Sequence, residues 1–177
     1  MFGIFWNQGQ VCSATSRVLV QEGIYDRLLA RLVEETRKIT IGNGLDEGVL
    51  LGPLVSEAQH RKVLSAVEAA RAAGATIACG GRRPEMPARG FFVEPTVLTE
   101  VPLDSDVWRE EIFGPVACVR PFSTEAEAIG LANDSRYGLA AAVMSADDVR
   151  AERVAAAFRA GIVWINCCRR WPASACG

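Results

Sequence analysis

Apolar positions with helical spacing mark four segments of the chain. From Tyr25 to Ile39 they recur at steps of three and four residues, which predicts an amphipathic helix. A second helix is predicted from Ser56, because Gln59 completes the signature of a capping box and Gly74 suits the C-terminal stop. Two further helices are predicted, from Thr124 with Glu127 to about Asn133 and from Asp148 to Ala160.

Short runs of β-branched or small apolar residues separate these helices and predict strands. They cover residues 17–20, 76–79, roughly 92–98, 116–121, 139–144 and 162–165. Strands that alternate with helices of this length are typical of parallel βαβ units under one mostly buried sheet. The pattern therefore predicts an α/β fold with a mostly parallel, helix-covered sheet.

Composition narrows the range of partners. The chain has 177 residues, half of them hydrophobic, which suits one domain with a packed core and excludes global disorder. A formal net charge of −2 gives no electrostatic reason to bind nucleic acid or an anionic membrane, so we expect neither partner. No apolar run approaches the roughly 20 residues needed to cross a bilayer.

Cysteine and histidine usage argues against two further kinds of site. The six cysteines are irregularly spaced, no CxxC pair occurs and His60 is the only histidine. We therefore expect neither a disulfide framework nor a metal site. The start MFGIFW carries no basic residue and does not resemble a signal peptide, so the expected location is the reducing cytoplasm.

One cysteine lies in a segment suited to nucleophilic chemistry. In WNQGQVCSATSR (6–17), Cys12 stands between a Gly- and Gln-rich stretch and small hydroxyl residues, so backbone amides can approach its sulfur. If Ser13 begins a helical turn, the positive helix terminus would favour the thiolate, and the same amides could hold an oxyanion. The alternative, which composition alone favours, is a buried structural cysteine.

A second polar segment precedes a predicted strand. In EEIFGPV (110–116), two carboxylates are followed by an aromatic residue and a Gly-Pro turn. A carboxylate in a loop that enters a strand can accept two hydrogen bonds from a ribose diol, and an adjacent aromatic can flank a flat ring. The alternative, favoured for such a motif in isolation, is a solvated acidic turn with a core Phe.

Together, these two segments resemble the aldehyde dehydrogenase superfamily. They stand about a hundred residues apart, in the order and spacing of that family. The stretches GPLVSEAQHRKV, GATIACGG, FFVEPTVL, AIGLANDSRYGLAAAV and GIVWIN match as well, so the resemblance covers roughly residues 1–167. FWNQGQVCSATSR and VWREEIFGPV are most similar to the plant-type betaine-aldehyde and aminoaldehyde dehydrogenases.

The resemblance implies oxidation of a small aldehyde to the carboxylic acid with NAD or NADP. Cys12 would attack the aldehyde to form a thiohemiacetal, with its own backbone N–H stabilising the oxyanion. Hydride would pass to the nicotinamide, and water would hydrolyse the resulting thioester. Glu111 would hold the nicotinamide-side ribose, Phe113 would position that end of the cofactor, and Leu139 matches a residue near the nicotinamide.

Three further residues match positions near the cofactor or the substrate. Gln59 and Lys62 correspond to positions close to the adenine end, although a solvated helix face explains them at least as well. Trp6 matches an aromatic wall of the substrate channel, where an indole face suits an amine or a quaternary ammonium group. An ordinary core aromatic is the alternative for Trp6.

The glycine-rich stretch GNGLDEG (42–48) superficially resembles a dinucleotide-binding fingerprint. It follows a predicted helix rather than a strand and begins no obvious helix of its own. We therefore predict a surface loop there.

The family also has parts that this sequence does not match. Its Rossmann-like cofactor domain, general-base glutamate and oxyanion-hole asparagine all precede the nucleophile segment. We therefore expect residues 1–167 to be an incomplete catalytic domain, and 168–177 to be a divergent, frame-shifted or otherwise foreign tail. The family implies a homo-oligomer, but the strand that joins its subunits is not matched.

Two hypotheses of different classes follow. The chain is part of the catalytic domain of an NAD(P)-dependent aldehyde dehydrogenase, or it is a catalytically inactive fragment or a non-catalytic partner of a full-length enzyme. We expect little or no turnover from the chain by itself, because the hydride acceptor lacks its main binding domain. A cysteine hydrolase is the weaker third reading, because His60 has no reason to meet Cys12.

Overall fold

The computed structural model describes residues 2–167. Helices and strands alternate along them, which confirms the predicted α/β class. The chain divides into two compact units, the first ending at Pro121 and the second beginning at Phe122. The predicted divergent tail, 168–177, lies outside the described residues.

The first unit is built on a four-stranded sheet. Its strands are β1 (Arg17–Gln21), β2 (Thr76–Cys79), β3 (Thr96–Thr99) and β4 (Val116–Phe122), in the order β1-β4-β3-β2. β3 runs parallel to β4 and antiparallel to β2. The helices are α1 (Phe2–Phe5), α2 (Glu22–Arg37), α3 (Glu57–Ala72) and α4 (Asp106–Arg109), with a 3₁₀ turn at Trp6–Gly9 directly after α1.

Hydrophobic clusters cover both faces of this sheet. Successive residues of a strand point to opposite faces. Accordingly, Val97 belongs to a cluster with Leu32 of α2, whereas Leu98 and Cys118 belong to another cluster with Val63 of α3. Val97 and Leu98 are both fully buried. The sheet therefore lies between α2 on one side and α3 on the other.

The start of α3 follows the predicted cap only in part. The Ser56 hydroxyl accepts a hydrogen bond from the Gln59 N–H at 3.2 Å, as expected. The reciprocal half of the capping box does not form, because no hydrogen bond from the Ser56 N–H to the Gln59 side-chain oxygen occurs within residues 2–167; the Gln59 amide nitrogen donates to the carbonyls of Ile112 and Phe113. At the other end, Gly74 adopts the left-handed conformation that favours glycine, with φ of +98°.

Two predicted elements of the first unit have different bounds. α2 begins at Glu22, ahead of the predicted Tyr25, and ends before Ile39. The strand predicted around 92–98 forms only as β3, starting at Thr96. Pro95, directly before it, has no N–H for a ladder hydrogen bond.

The second unit contains α5 (Glu125–Asn133), β5 (Ala140–Val143), α6 (Asp148–Ala157) and β6 (Ile162–Ile165). β5 and β6 pair in parallel, with Ala140 opposite Ile162. The described strands thus form two sheets, where the sequence predicts one. α6 ends at Ala157, short of the predicted Ala160. Among the described helices, none combines the length and the apolar content that spanning a bilayer requires.

Candidate active site

Cys12 is exposed and lies in a β-turn, Val11–Ala14, called the Cys12 turn below. The Ala14 N–H donates to the Val11 carbonyl at 2.9 Å, so Cys12 and Ser13 occupy the central positions. The predicted helical turn at Ser13 is wrong, because the nearest helical segments of the described chain precede Cys12. The buried structural alternative is wrong as well, since the thiol is exposed.

The residues before the Cys12 turn reverse the chain and anchor it. Asn7, Gln8 and Gly9 have φ values of 50°, 58° and 68°, three successive left-handed residues. The Gln10 side-chain oxygen then accepts a hydrogen bond from the Val55 N–H at 3.1 Å. This bond ties the turn to the loop that leads into α3.

The backbone at Cys12 has amide donors to offer. Within residues 2–167, the N–H groups of Cys12 and Ser13 donate no backbone hydrogen bond. An amide donor beside a nucleophile stabilises negative charge that develops on an attacked carbonyl oxygen. The N–H groups of Cys12 and Ser13 are therefore candidate donors for the predicted oxyanion, although no helix terminus is involved.

The second predicted segment, residues 110–114, connects α4 to β4 and is called the Glu111 segment. Glu111 is exposed, Ile112 is buried and Phe113 is half-buried. Phe113 has φ of 56°, a left-handed conformation that is a real outlier for a bulky side chain. Gly-Pro then leads directly into β4 at Val116, as the sequence predicts. Phe113 is not the core Phe of the alternative reading.

The Cys12 turn and the Glu111 segment are neighbours in the fold. A Cβ added to Gly9 would overlap the Gly114 carbonyl group, at 2.5 Å from its carbon, so the two backbones touch. β1, which follows the turn, lies next to β4, which follows the segment. The Cys118 N–H donates to the Ser16 carbonyl at 2.8 Å beside this pairing. The two motifs thus come together from distant parts of the sequence.

Two side chains of α3 hold the backbone of the Glu111 segment. Gln59 Nε2 donates to the carbonyls of Ile112 at 2.9 Å and Phe113 at 2.7 Å. Lys62 Nζ donates to the Glu111 carbonyl at 2.8 Å. Gln59 is half-buried, so the solvated-face alternative is wrong for it, whereas Lys62 is exposed. A role near the adenine end of a cofactor stays a prediction for both.

Burial distinguishes Cys12 from the other described cysteines. Cys118 is buried, and desolvation raises the pKa of its thiol to about 12. Burial also raises the pKa of the half-buried Cys79. Among the four cysteines within residues 2–167, Cys12 is the exposed one. It is therefore the thiol most accessible to an external electrophile.

His60 is engaged elsewhere. It is buried on α3, with Nε2 at 3.1 Å from the Phe92 carbonyl oxygen. Over the described range, no three His, Cys, Asp or Glu side chains are grouped so that they could hold a metal ion. Residues 43–48 are exposed and form a turn region after α2, with Gly42 buried at its start, which confirms the predicted surface loop.

Comparison with known proteins decides the family. A model described as "Aldehyde dehydrogenase family" matches residues 1–175. The chain belongs to the aldehyde dehydrogenase family. The Aminoaldehyde dehydrogenase 2, peroxisomal, of Pisum sativum is 55% identical over 167 residues. The Betaine aldehyde dehydrogenase, chloroplastic, of Beta vulgaris is 50% identical over the same length. Each alignment covers 94% of this chain and 33% of the relative.

A solved aldehyde dehydrogenase shares the fold. The betaine aldehyde dehydrogenase from Staphylococcus aureus, crystallised in complex with NAD+, superposes with a TM-score of 0.91 at 46% identity. The match covers 96% of this chain and 34% of that chain. The family and fold predicted from the motifs are therefore confirmed. The chain spans about a third of the length of the relatives that it matches.

Two residues that match family positions are exposed. Trp6, at the start of the 3₁₀ turn, is 39% exposed, so the core-aromatic alternative is wrong. Leu139 is 49% exposed and belongs to the second unit, directly before β5. Its carbonyl accepts a hydrogen bond from the Ile162 N–H at 3.0 Å.

Sequence reasoning missed three residues near the two segments. Gln10 anchors the Cys12 turn through its hydrogen bond with Val55. Its position next to Gly9 in a polar run was the feature of the sequence that could have indicated this role. The Arg17 guanidinium lies 5.4 Å from the ring centroid of Trp108, a cation–π contact on α4. α4 itself is only four residues long, too short for a helical repeat to show in the sequence.

Proposed function

We propose that this chain carries the nucleophile and the nicotinamide-end cofactor residues of an NAD(P)-dependent aldehyde dehydrogenase. Its substrate would be betaine aldehyde or an aminoaldehyde, the substrates in the names of its relatives. The contact between Gly9 and Gly114 carries the proposal. It brings the backbone two residues before the turn with the exposed thiol against Gly114, the last residue of the segment that carries Glu111 and Phe113.

In the proposed reaction, the Cys12 thiolate adds to the carbonyl carbon of the aldehyde and forms a thiohemiacetal. The N–H of Cys12, which has no backbone acceptor within residues 2–167, donates to the oxygen as it gains charge. When bound, NAD or NADP accepts a hydride from that carbon. Water then hydrolyses the thioester on Cys12, which releases the carboxylic acid and restores the thiol.

The Glu111 segment suits the nicotinamide end of such a cofactor. The Glu111 carboxylate is exposed and can accept two hydrogen bonds from a ribose diol. Phe113 stands two residues away on a backbone fixed by Gln59. We assign cofactor binding to Glu111 and Phe113, while Gln59 and Lys62 support the segment through its carbonyl groups. Leu139 belongs to the second unit, and its place near the nicotinamide stays a prediction of the family resemblance.

The exposed indole of Trp6 favours a cationic substrate. An aromatic face attracts an ammonium group by about 1–2 kcal/mol once both are desolvated. Trp6 stands six residues before Cys12, separated from it by the left-handed residues 7–9. We propose that it forms part of the wall along which the amine or trimethylammonium end of the aldehyde lies.

The second candidate is a non-catalytic role. On either reading we propose that residues 1–167 are an incomplete catalytic domain. Cytoplasmic location stays a prediction, because the relatives include proteins named peroxisomal and chloroplastic. Homo-oligomerisation stays a prediction of the family resemblance.

A chimera separates the two candidates. Residues 1–167 would replace the matching third of the pea aminoaldehyde dehydrogenase, and NADH formation would be followed with betaine aldehyde and with a small aminoaldehyde. We expect the chimera to turn over and Cys12→Ala to abolish turnover. The matched control is Cys79→Ala, which removes a half-buried thiol and should stay active.

Two outcomes would count against the proposal. A folded chimera without turnover would support the non-catalytic candidate, because the rest of the chimera is the relative's own sequence. Turnover that survives Cys12→Ala would show that Cys12 is not the nucleophile. The isolated chain serves as the reference, and we expect little or no NADH from it.

A further inference from the structure

Gln59 is placed to control the shape of the Glu111 segment. Its amide nitrogen donates to two successive carbonyls, at 2.9 Å to Ile112 and 2.7 Å to Phe113, so both of its N–H bonds are used. We infer that Gln59 is a positioning residue that fixes the left-handed Phe113 backbone. This inference rests on the proposed function, in which Phe113 and Glu111 hold the cofactor.

The Phe113 backbone needs such a support. A left-handed conformation at a bulky residue persists only where its surroundings over-determine it. Lys62 holds the carbonyl of Glu111 on one side. On the other side Gly114 presses on Val63, where an added Cβ would lie 2.5 Å from Val63 Cγ2. Gln59 is the side chain that reaches the Phe113 carbonyl itself.

Gln59 is held in turn by rigid structure. The backbone N–H of Gln59 donates a hydrogen bond to Ser56 Oγ at 3.2 Å. Val63, one turn further along α3, is fully buried. The residue before Ser56 is Val55, whose N–H donates to Gln10 in the approach to the Cys12 turn. The start of α3 therefore contacts both predicted segments, and Gln59 forms its link to the Glu111 segment.

Three substitutions in the full chain separate donation from bulk. Gln59→Met keeps the length without a donor, Gln59→Glu places a carboxylate against two carbonyl oxygens, and Gln59→Lys restores a donor. The control is Arg61→Ala on the same helix, which removes only an exposed contact with Glu57 at 3.5 Å. The readout is hydrogen–deuterium exchange of the 110–118 peptide, which includes the Val116 N–H bonded to the Gly114 carbonyl.

We expect exchange to be roughly tenfold faster in Gln59→Met, faster still in Gln59→Glu, and within about threefold of wild type in Gln59→Lys and Arg61→Ala. Wild-type exchange in Gln59→Met or Gln59→Glu would overturn the inference. If Gln59→Met does not fold, the comparison of Glu with Lys decides: faster exchange in Glu supports the role, and equal rates overturn it.

Binding of NADH to the chimera carrying the same substitutions, followed by NADH fluorescence, distinguishes this inference from the proposed function. We expect Gln59→Met to weaken NADH binding about tenfold while Arg61→Ala leaves it unchanged. Loss of NADH affinity in Gln59→Met with wild-type exchange would make Gln59 a direct ligand and overturn the positioning role. If the chimera without a Gln59 substitution binds no NADH, the proposed cofactor site fails, and the exchange rates alone then test the role of Gln59.

Discussion

Gly9→Ala tests the contact between the backbone just before the Cys12 turn and the Glu111 segment. The new Cβ destabilises the folded state in two ways. Gly9 has φ of +68°, a conformation that costs an L-residue about 1–2 kcal/mol. The Cβ also overlaps the Gly114 carbonyl, and overpacking costs typically about 1–3 kcal/mol. Gly114 cannot shift easily to relieve the overlap, because it packs closely against Val63: a Cβ built on Gly114 would lie 2.5 Å from Val63 Cγ2.

The two penalties sum to a loss of about 2–5 kcal/mol in the free energy of unfolding. Two glycines of the same unit provide matched controls. Gly74→Ala meets the φ penalty at +98° with open space around it, so it should cost about 1–2 kcal/mol. Gly23→Ala, in α2 and also in open space, should stabilise by up to about 1 kcal/mol.

Urea denaturation followed by circular dichroism ranks the three variants. We expect Gly9→Ala to be the least stable and to label faster than wild type at Cys12, because the turn loses its support. Equal stability of Gly9→Ala and Gly74→Ala would mean that the two segments do not touch. It would then remove the observation on which the proposed function rests.

Three further predictions concern the thiols, the core and the second unit. Iodoacetamide at mildly alkaline pH should modify Cys12 before Cys118, because burial raises the pKa of Cys118 to about 12; equal rates in the native chain, read by mass spectrometry, would contradict this. Leu98→Ala, at a fully buried position, should cost about 2–5 kcal/mol of unfolding free energy. Leu45→Ala, 93% exposed, should change it by less than about 0.5 kcal/mol, and equal effects would place Leu98 outside the core. The hydrogen bond from Arg153 lowers the pKa of Glu125, so its stabilising effect is present above the unfolded pKa and is lost as pH falls through the folded value. The difference in thermal midpoint between wild type and Glu125→Gln should therefore shrink on acidification, and a constant difference would refute the pairing.

The sequence predicted the structure correctly where residues close together in the chain determine it. Ser56 caps α3 and Gly74 follows its end because both effects act within one helical turn. The alternation of helices and strands likewise predicted the α/β class. The motif residues around Cys12 and Glu111 led to the family, which the comparison with known proteins confirms.

Long-range contacts explain what the sequence did not reveal. Gln59 looked like the second member of a capping box, but its amide is used by carbonyls more than fifty residues away. The Cys12 turn is shaped by residues docked on Gly114 and Val55, not by a helix at Ser13. No local pattern in the sequence predicts such partners, because hydrophobic periodicity shows which face of a helix or strand is buried and not which residues pack against it.

The pairing of β1 with β4 has a consequence for how the protein is made. The two strands are neighbours although about a hundred residues separate them, and contacts of such long sequence separation form late in folding. Cys12 leaves the ribosome well before Glu111 does, since synthesis proceeds from the amino end. The thiol therefore passes through a period in which the segment that flanks it does not yet exist. Oxidants present during synthesis would reach Cys12 in that interval, and the exposed thiol stays accessible to them after folding.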